Sequence, residues 1–182
     1  TFDGTEHIPI ATLPGMADRT ITISSGGKTF SFTGWKVGWA CARPELINAI
    51  RSVKQFLTFV NAAPFQSAIA VGLRLGDAYF TDFAATLQGK RDRLNAGLVN
   101  AGFTVYSPQS TYFTTVDIRP LGYDDGREFC LALPEMAGVV AIPSQVFYTN
   151  KHAGKHLVRF AFCKQDSMLD EAVDRLAVLR AS

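Results

Sequence analysis

The feature that most constrains the fold is a long amphipathic segment in the middle of the chain, "DAYFTDFAATLQGKRDRLNAGLVNAG" (77–102). We expect Asp77 to cap a helix here and Gly102 to end it. Apolar residues recur along the segment at helical spacing; they are Phe80, Phe83, Leu87, Leu94 and Leu98. A single long helix predicts two domains: residues 1–94 form the end of a larger α/β domain with the linking helix, and residues 95–182 form a small α+β domain.

The segments before this helix predict two strands and two further helices. Residues 19–25 alternate and are β-branched, which predicts a buried strand, and residues 37–42 predict a second strand. A helix is predicted over 43–57, with Pro44 in its first turn. Its apolar face is Leu46, Ile47, Ile50 and Val53. Residues 64–76 are nearly all apolar, which predicts a buried helix.

The segments after the long helix predict short strands alternating with helices. The predicted strands are two within 103–118, one in 139–144 and one in 155–163; the predicted helices are 124–138, disturbed late by Pro134, and 165–182. The last helix has an apolar stripe of Leu169, Val173, Leu176 and Leu179. This alternation is the reason for predicting a small α+β domain.

The composition is that of an ordinary globular protein and argues against several classes. Charged residues are 19% and hydrophobic residues 47% of the 182 residues, and the net charge of +2 argues against a dedicated nucleic-acid binder. No apolar run reaches the roughly 18 residues of a membrane span. We find no signal peptide and expect no membrane partner; a cytoplasmic location is predicted from the cysteines described next.

The cysteines and histidines predict no metal site and no disulfide framework. Cys41, Cys130 and Cys163 are odd in number and lie in apolar surroundings, which predicts reduced core thiols. The three histidines lack metal-ligand spacing. The chain also starts without Met, at a segment with no preceding element to pack on. We therefore expect a fragment that lacks its N-terminal part, the alternative being a processed chain.

The stretch "SSGGKTFSFTGWKVGW" (24–39) poses the main functional question, because two glycines precede a lysine. A phosphate-binding loop would have glycine, four residues, then Gly-Lys-Ser/Thr between a strand and a helix. Gly27, Lys28 and Thr29 supply the end of that motif, but Thr22 stands where its first glycine belongs. We also expect no helix to follow, so a nucleotide loop is disfavoured.

A reactive amine is the alternative function for Lys28. A lysine at the end of a buried strand is desolvated, which lowers its pKa and frees the neutral amine to attack an aldehyde. Pyridoxal 5'-phosphate (PLP) is such an aldehyde, and it has a phosphate that needs hydroxyl groups and a cation. Ser25 and Lys36 are candidates for those contacts. The other interpretation, a solvated surface lysine in a loop, stays open from chemistry alone.

The same stretch resembles the lysine signature of class I and II aminotransferases, the fold-type-I enzymes that use PLP. The resemblance is to the branch with kynurenine/glutamine aminotransferases and bacterial N-succinyldiaminopimelate aminotransferases. "FDGTEHIPIATLPGMADRT", "STYF", "VVAIPSQVFY" and "LVRFAFCK" resemble further blocks of that branch, in the same order. The likeness spans nearly the whole chain and matches the C-terminal half of such an enzyme.

The resemblance assigns roles to four residues. Lys28 would be the Schiff-base lysine, and Ser25 would bind the cofactor phosphate. Lys36 stands where the wider family usually has arginine. Lysine keeps the positive charge but cannot form the bidentate hydrogen bonds of a guanidinium. Arg159 matches the arginine that binds the substrate's α-carboxylate. Weaker assignments are Trp35 as a packing residue, Tyr112, Phe113, Phe147 and Tyr148 as pocket residues, and Phe59 and Asn61 in a segment that reaches a neighbouring subunit's site.

The implied activity is amino transfer from an amino acid to a 2-oxo acid such as 2-oxoglutarate. N-succinyl-LL-diaminopimelate, in lysine biosynthesis, is the implied donor; the alternative is kynurenine, glutamine or methionine with β-lyase activity on cysteine conjugates. The family completes the PLP site with residues upstream of Thr1, and its members are homodimers with shared active sites. We therefore expect this chain alone to be inactive. A lyase or decarboxylase, or a cofactor-free binding domain, are the competing functions.

Overall fold

The computed structural model of the chain describes residues 1–181, with the backbone alone described at Ala181. Its contacts divide the chain into two compact units, which we describe separately. The lysine unit is Glu6–Tyr79, and the arginine unit is Thr1–Thr5 together with the chain from Phe80 onward. The predicted division at residues 94 and 95 refers to the domains of an intact enzyme and stays a prediction.

The lysine unit is built from two short strands and three helices. They are β1 (Thr22–Ser25), α1 (Gly26–Thr29), β2 (Gly38–Cys41), α2 (Pro44–Leu57) and α3 (Ala63–Gly72). The strands pair antiparallel, with Thr22 opposite Cys41 and Ser25 opposite Gly38. One turn of helix, α1, follows β1, although we expected no helix there. It forms because the Phe30 amide donates to the Gly26 carbonyl at 3.0 Å.

Burial in the lysine unit is lower than predicted. β1 is exposed along its whole length, and Ile23 in its middle is 77% exposed. α3 buries only Ile69 among its residues, and α2 buries none. The predictions of a buried first strand and a buried 64–76 helix are therefore wrong for this chain. A two-stranded sheet buries little apolar surface unless other elements cover it.

The arginine unit is a four-stranded antiparallel sheet with helices. Its strands are β3 (Thr104–Tyr106), β4 (Phe113–Asp117), β5 (Ile142–Pro143) and β6 (Leu157–Ala161), and its helices are α4 (Asp77–Asn100, whose first residues belong to the lysine unit), α5 (Gly126–Ala137) and α6 (Asp166–Leu176). The strand order is β3-β4-β6-β5. Val116 of β4 lies opposite Val158 of β6. This arrangement agrees with the α+β character predicted from the sequence.

One face of this sheet forms the hydrophobic core with the helices. Val116 and Val158 are fully buried, as are Leu98 of α4, Leu133 of α5 and Leu176 of α6. Each such side chain contributes roughly 1.5–3 kcal/mol when it leaves water. The aromatic rings of Phe103, Phe129 and Phe160 also pack here, with edge contacts at 6.0 Å and 5.8 Å. Both β4 and β6 are therefore packed into the core of this unit.

The predicted helix ends are largely confirmed in this unit. Gly102 has φ of +97°, and Phe103 donates to the Leu98 carbonyl, so α4 ends where the glycine predicts. The predicted 139–144 strand is shorter, because only Ile142–Pro143 pair with β6. The closing helix ends at Leu176 and continues as a 3₁₀ segment, Ala177–Ala181. The predicted last residue of that helix, Ser182, lies outside the described residues.

A buried arginine fixes the start of the chain to α4. Arg91 is 4% exposed, and its guanidinium donates to both carboxylate oxygens of Asp3, at 2.6 Å and 3.0 Å. This hydrogen bond lowers the pKa of the Asp3 carboxyl below its usual value. Phe2 is also buried, and its ring lies 4.9 Å from the Arg91 guanidinium. Residues 1–5 therefore belong to the arginine unit.

The three cysteines are free thiols in different environments. Cys130 is partly buried, and desolvation raises its pKa to about 11. Cys41 and Cys163 are exposed, so the prediction of core thiols is wrong for those two. Among residues 1–181, no group of histidine, cysteine and acidic side chains has metal-binding geometry. Within the same residues, no helix combines the length and apolar character needed to cross a bilayer.

Candidate active site

The connection between β1 and β2 contains three of the four predicted site residues. Ser25 ends β1, Lys28 lies in α1, and Lys36 lies two residues before β2. The Gly26 amide donates to the Val37 carbonyl at 3.0 Å, which closes the connection at its base. Ser25 and Lys36 directly precede Gly26 and Val37, the two residues that this bond joins.

Gly26 allows this connection to approach α3 closely. A Cβ atom at position 26 would lie 2.7 Å from Cδ1 of Ile69, a separation that real Cβ atoms do not show. Gly26 and Ile69 are both buried, and they fix the start of α1. The side chain of Lys28, two residues on, is exposed in this chain. Its predicted burial at the end of a buried strand is therefore not found in the described residues.

Lys36 has a left-handed backbone, with φ of 53° and ψ of 40°. This conformation is uncommon for residues other than glycine, so neighbouring contacts must stabilise it. One such contact is the amide side chain of Asn61, whose Nδ2 donates to the Lys36 carbonyl at 3.1 Å. The carbonyl of Asn61 in turn accepts from Nε2 of Gln66 at 3.1 Å. A chain of two hydrogen bonds thus joins α3 to Lys36, two residues before β2.

Trp35 packs between two aromatic rings, one from the same connection and one from α3. Its ring centroid lies 4.4 Å from that of Phe32 and 4.5 Å from that of Phe65, with nearly parallel planes. Such offset stacks add about 0.5–1.5 kcal/mol beyond the buried area. The predicted packing role of Trp35 is confirmed.

The charge of this connection fits an anionic ligand. No acidic residue lies between Asp18 and Glu45 in the sequence, and Lys28 and Lys36 both fall in that interval. A serine hydroxyl, backbone amides and ammonium groups are the donors that a phosphate dianion requires. The residues present therefore fit the phosphate of PLP, and Lys28 provides an amine for its aldehyde.

Arg159 lies on the sheet face opposite the core of the arginine unit. It is in β6, opposite Thr115 of β4 and Ile142 of β5. Its neighbours along the strand, Val158 and Phe160, are buried in the core on the other face, while Arg159 is half-buried. The alternation of β6 thus directs the arginine away from the core.

Two aromatic rings enclose the guanidinium of Arg159. Its Cζ lies 4.1 Å from the ring centroid of Phe113 and 3.9 Å from that of Phe147. Its Nε is buried and has no hydrogen-bond partner within the described part of the chain. A buried donor without a partner costs about 1–3 kcal/mol, so a site for an acceptor is indicated. A substrate carboxylate has the planar, two-oxygen geometry that a guanidinium binds best.

The structure brings Ser25, Lys28 and Lys36 into one connection of the lysine unit, and places Arg159 in the arginine unit. The hydrogen bond from Asn61 to Lys36 was not predicted. No sequence motif could have indicated it, because its acceptor is a backbone carbonyl far away along the chain.

The chain matches one family model and several known proteins. The family model is "Aminotransferase class I and II", matched over residues 2–176. A probable N-succinyldiaminopimelate aminotransferase of Mycobacterium tuberculosis is 51% identical over 98% of this chain and 47% of that protein. A kynurenine–oxoglutarate transaminase of Dictyostelium discoideum is 40% identical over 99% of this chain and 46% of that protein.

A solved aminotransferase structure is also similar to this chain. The N-succinyldiaminopimelate aminotransferase from Mycobacterium tuberculosis superposes with a TM-score of 0.92 and 53% identity, over 98% of this chain and 46% of that one. The chain thus spans about half the length of the curated relatives it matches.

Proposed function

Because this chain belongs to the class I and II aminotransferase family, we propose that it supplies the catalytic lysine and the substrate-binding arginine of an aminotransferase. The complete enzyme moves an amino group from an amino acid to a 2-oxo acid such as 2-oxoglutarate. The cofactor of this family is PLP, which supplies, when bound, an aldehyde carbon and an electron-accepting ring.

The observation that carries this proposal is the carboxylate-free connection between β1 and β2. In it, Lys28 would hold the cofactor covalently until the amino group of the substrate takes its place on the aldehyde carbon, and the amine of Lys28 freed in this exchange would then remove the α-proton of the substrate. Ser25 and Lys36 bind the phosphate through a hydroxyl and an ammonium group. The bond from Gly26 to Val37, at 3.0 Å, supports this assignment because it keeps the two phosphate ligands at neighbouring ends of the connection.

Arg159 binds the α-carboxylate of the substrate in this proposal. The support is its Nε, which has no partner among the described residues, and the two aromatic rings that contact the guanidinium at 4.1 Å and 3.9 Å. A substrate carboxylate would accept two parallel hydrogen bonds from the guanidinium and would give the buried Nε an acceptor.

The proposed amino donor is N-succinyl-LL-diaminopimelate, in lysine biosynthesis. The support is the 51% identity to the mycobacterial protein of that description. The second candidate is a kynurenine, glutamine or methionine aminotransferase with β-lyase activity on cysteine conjugates, which the 40% identical transaminase favours. Comparing these donors with 2-oxoglutarate as acceptor, and assaying β-elimination separately, distinguishes the two.

We also propose that the complete enzyme is a cytoplasmic homodimer with shared active sites. The end of α2 and the residues after it present exposed apolar side chains, with Phe56 86% and Phe59 76% exposed. Apolar surface of this kind is typical of protein interfaces. The three free thiols suit a reducing compartment.

The test replaces Lys28 in the full-length polypeptide, in which this chain is joined to the N-terminal half that its relatives have. Lys28→Ala and Lys28→Arg should both abolish amino transfer and the visible absorbance that arises from a covalent bond between Lys28 and PLP, since arginine keeps the charge but not the nucleophilic amine. Lys151→Ala, at an exposed position, should retain both. Retention of absorbance and activity in the Lys28 variants would contradict the proposed function.

A further inference from the structure

The segment between α2 and α3 contacts the residue proposed to bind the cofactor phosphate. Nδ2 of Asn61 donates to the Lys36 carbonyl at 3.1 Å, and Gln66 donates to the Asn61 carbonyl at 3.1 Å. Both bonds lie within the lysine unit. Asn61 is therefore the middle member of a relay from α3 to Lys36.

The backbone at Lys36 and on both sides of Asn61 is in a conformation that needs support. Lys36 has φ of 53°, and Phe59 and Ala62, on either side of Asn61, have φ of 55° and 48°. Residues other than glycine keep such angles only where surrounding contacts impose them. The amide of Asn61 is the side chain that joins the two strained segments.

The aromatic stack strengthens this connection from the same helix. Phe65 of α3 stacks on Trp35, the residue directly before Lys36, with ring centroids 4.5 Å apart. The first turn of α3 thus contacts two consecutive residues, one through a ring and one through the Asn61 relay. The location of the Lys36 backbone is set by α3 and not by β2 alone.

We propose that Asn61 is a positioning residue for the cofactor phosphate, acting through the backbone of Lys36. Its amide fixes the left-handed turn at Lys36, and this turn sets where the ammonium group meets the phosphate. The inference rests on the proposed function, in which Lys36 is a phosphate ligand. It assigns Asn61 a role within its own subunit, different from the contact with a neighbouring subunit that the family resemblance implies.

The experiment compares PLP with pyridoxal, which has the same aldehyde but no phosphate. Spectrophotometric titration of the full-length apoenzyme gives a dissociation constant for each. Asn61→Ala should weaken PLP binding about two- to tenfold, the effect of one net hydrogen bond, and leave pyridoxal binding unchanged. Asn48→Ala, the same substitution at an exposed position of α2, is the matched control and should change neither constant.

A double-mutant cycle tests the route through Lys36. Lys36→Ala should weaken PLP binding and spare pyridoxal, and adding Asn61→Ala to it should weaken PLP no further, because the ammonium that Asn61 positions is gone. Equal weakening of both ligands by Asn61→Ala, or full additivity with Lys36→Ala, would overturn the inference while leaving the proposed function intact.

The two proposals fail in different ways. If Lys36→Ala leaves PLP binding unchanged, the phosphate role of Lys36 is wrong and the inference falls with it, whereas the Lys28 variants still test the reaction. If Asn61→Ala does not fold, Gln66→Ala breaks the relay one bond earlier and should give a smaller loss of the same selectivity for PLP. No change in the ratio of the two dissociation constants for Gln66→Ala would then overturn the inference.

Discussion

Replacing Arg159 with lysine tests the proposed carboxylate site most directly. The substitution keeps the positive charge but removes the planar group that lies 4.1 Å from the Phe113 ring and 3.9 Å from the Phe147 ring. It also removes the buried Nε that has no partner among the described residues. An ammonium group cannot form the two parallel hydrogen bonds that a planar guanidinium makes with a carboxylate.

The expected magnitude follows from the lost hydrogen bond. A hydrogen bond to a charged group contributes about 1.5–3 kcal/mol. Each 1.36 kcal/mol is a factor of about ten in rate, so kcat/KM for the amino donor should fall roughly 10- to 150-fold. The dissociation constant of PLP should not change, because Arg159 is assigned to the substrate and not to the cofactor.

Steady-state kinetics of the full-length enzyme, with varied amino donor and fixed 2-oxoglutarate, measure this loss. Arg127→Lys, the same exchange at an exposed position on α5, is the control and should behave as the unmodified enzyme. Unchanged kcat/KM in the Arg159→Lys enzyme, or an equal loss of PLP affinity, would refute the assignment of Arg159 to the substrate carboxylate.

Two further predictions concern the arginine unit. The Asp117 carboxylate is buried and accepts hydrogen bonds from Arg119, which hold its pKa below the usual value. Its stabilisation is therefore present above the ordinary aspartate pKa of about 4 and lost as pH falls through the lower folded value. Asp117→Asn should cost about 1–3 kcal/mol at neutral pH and progressively less in acid, as followed by urea unfolding from pH 7 to pH 3; a pH-independent difference would contradict this. Because burial raises the pKa of Cys130 to about 11, iodoacetamide at pH 8 should label native Cys130 much more slowly than exposed Cys163, as followed by mass spectrometry of peptides. Labelling of native Cys130 as fast as of exposed Cys163 would show that its thiol is not buried.

The sequence predicted the elements of the arginine unit well because their signals are local. The α/β fold class of a fold-type-I enzyme is confirmed by the family match and by the superposed structure. The regular spacing of Leu94 and Leu98 predicted the buried face of α4, and Gly102 predicted its end. These signals depend on residues within one or two turns of each other.

The sequence predicted burial in the lysine unit poorly, for a physical reason. The apolar character of 19–25 and 64–76 indicates that these segments are covered somewhere, but not by which residues. In this chain β1 pairs with β2 alone and α3 buries only Ile69, so the exposure of Ile23 could not be derived from its own segment. The burial of a strand depends on which other elements cover it, and the strand's own pattern does not identify those elements.

The sequence predicted which residues form the candidate site more completely than it predicted how they are arranged. Lys28, Lys36 and Ser25 follow from spacing and from the family resemblance, and their roles stay predictions. The ring pair around Arg159 joins residues of β4 and of the segment after β5, which only the sheet register brings close.

The contact between Gly26 and Ile69 restricts how these two positions can vary between related sequences. A methyl group at position 26 would occupy the space that Cδ1 of Ile69 fills, at 2.7 Å. Alanine at 26 therefore requires either that Cδ1 of Ile69 moves or that a shorter residue, such as valine or alanine, stands at 69. Related sequences should differ at positions 26 and 69 together, and a substitution at 26 alone should displace the Ile69 side chain or the turn that begins α1.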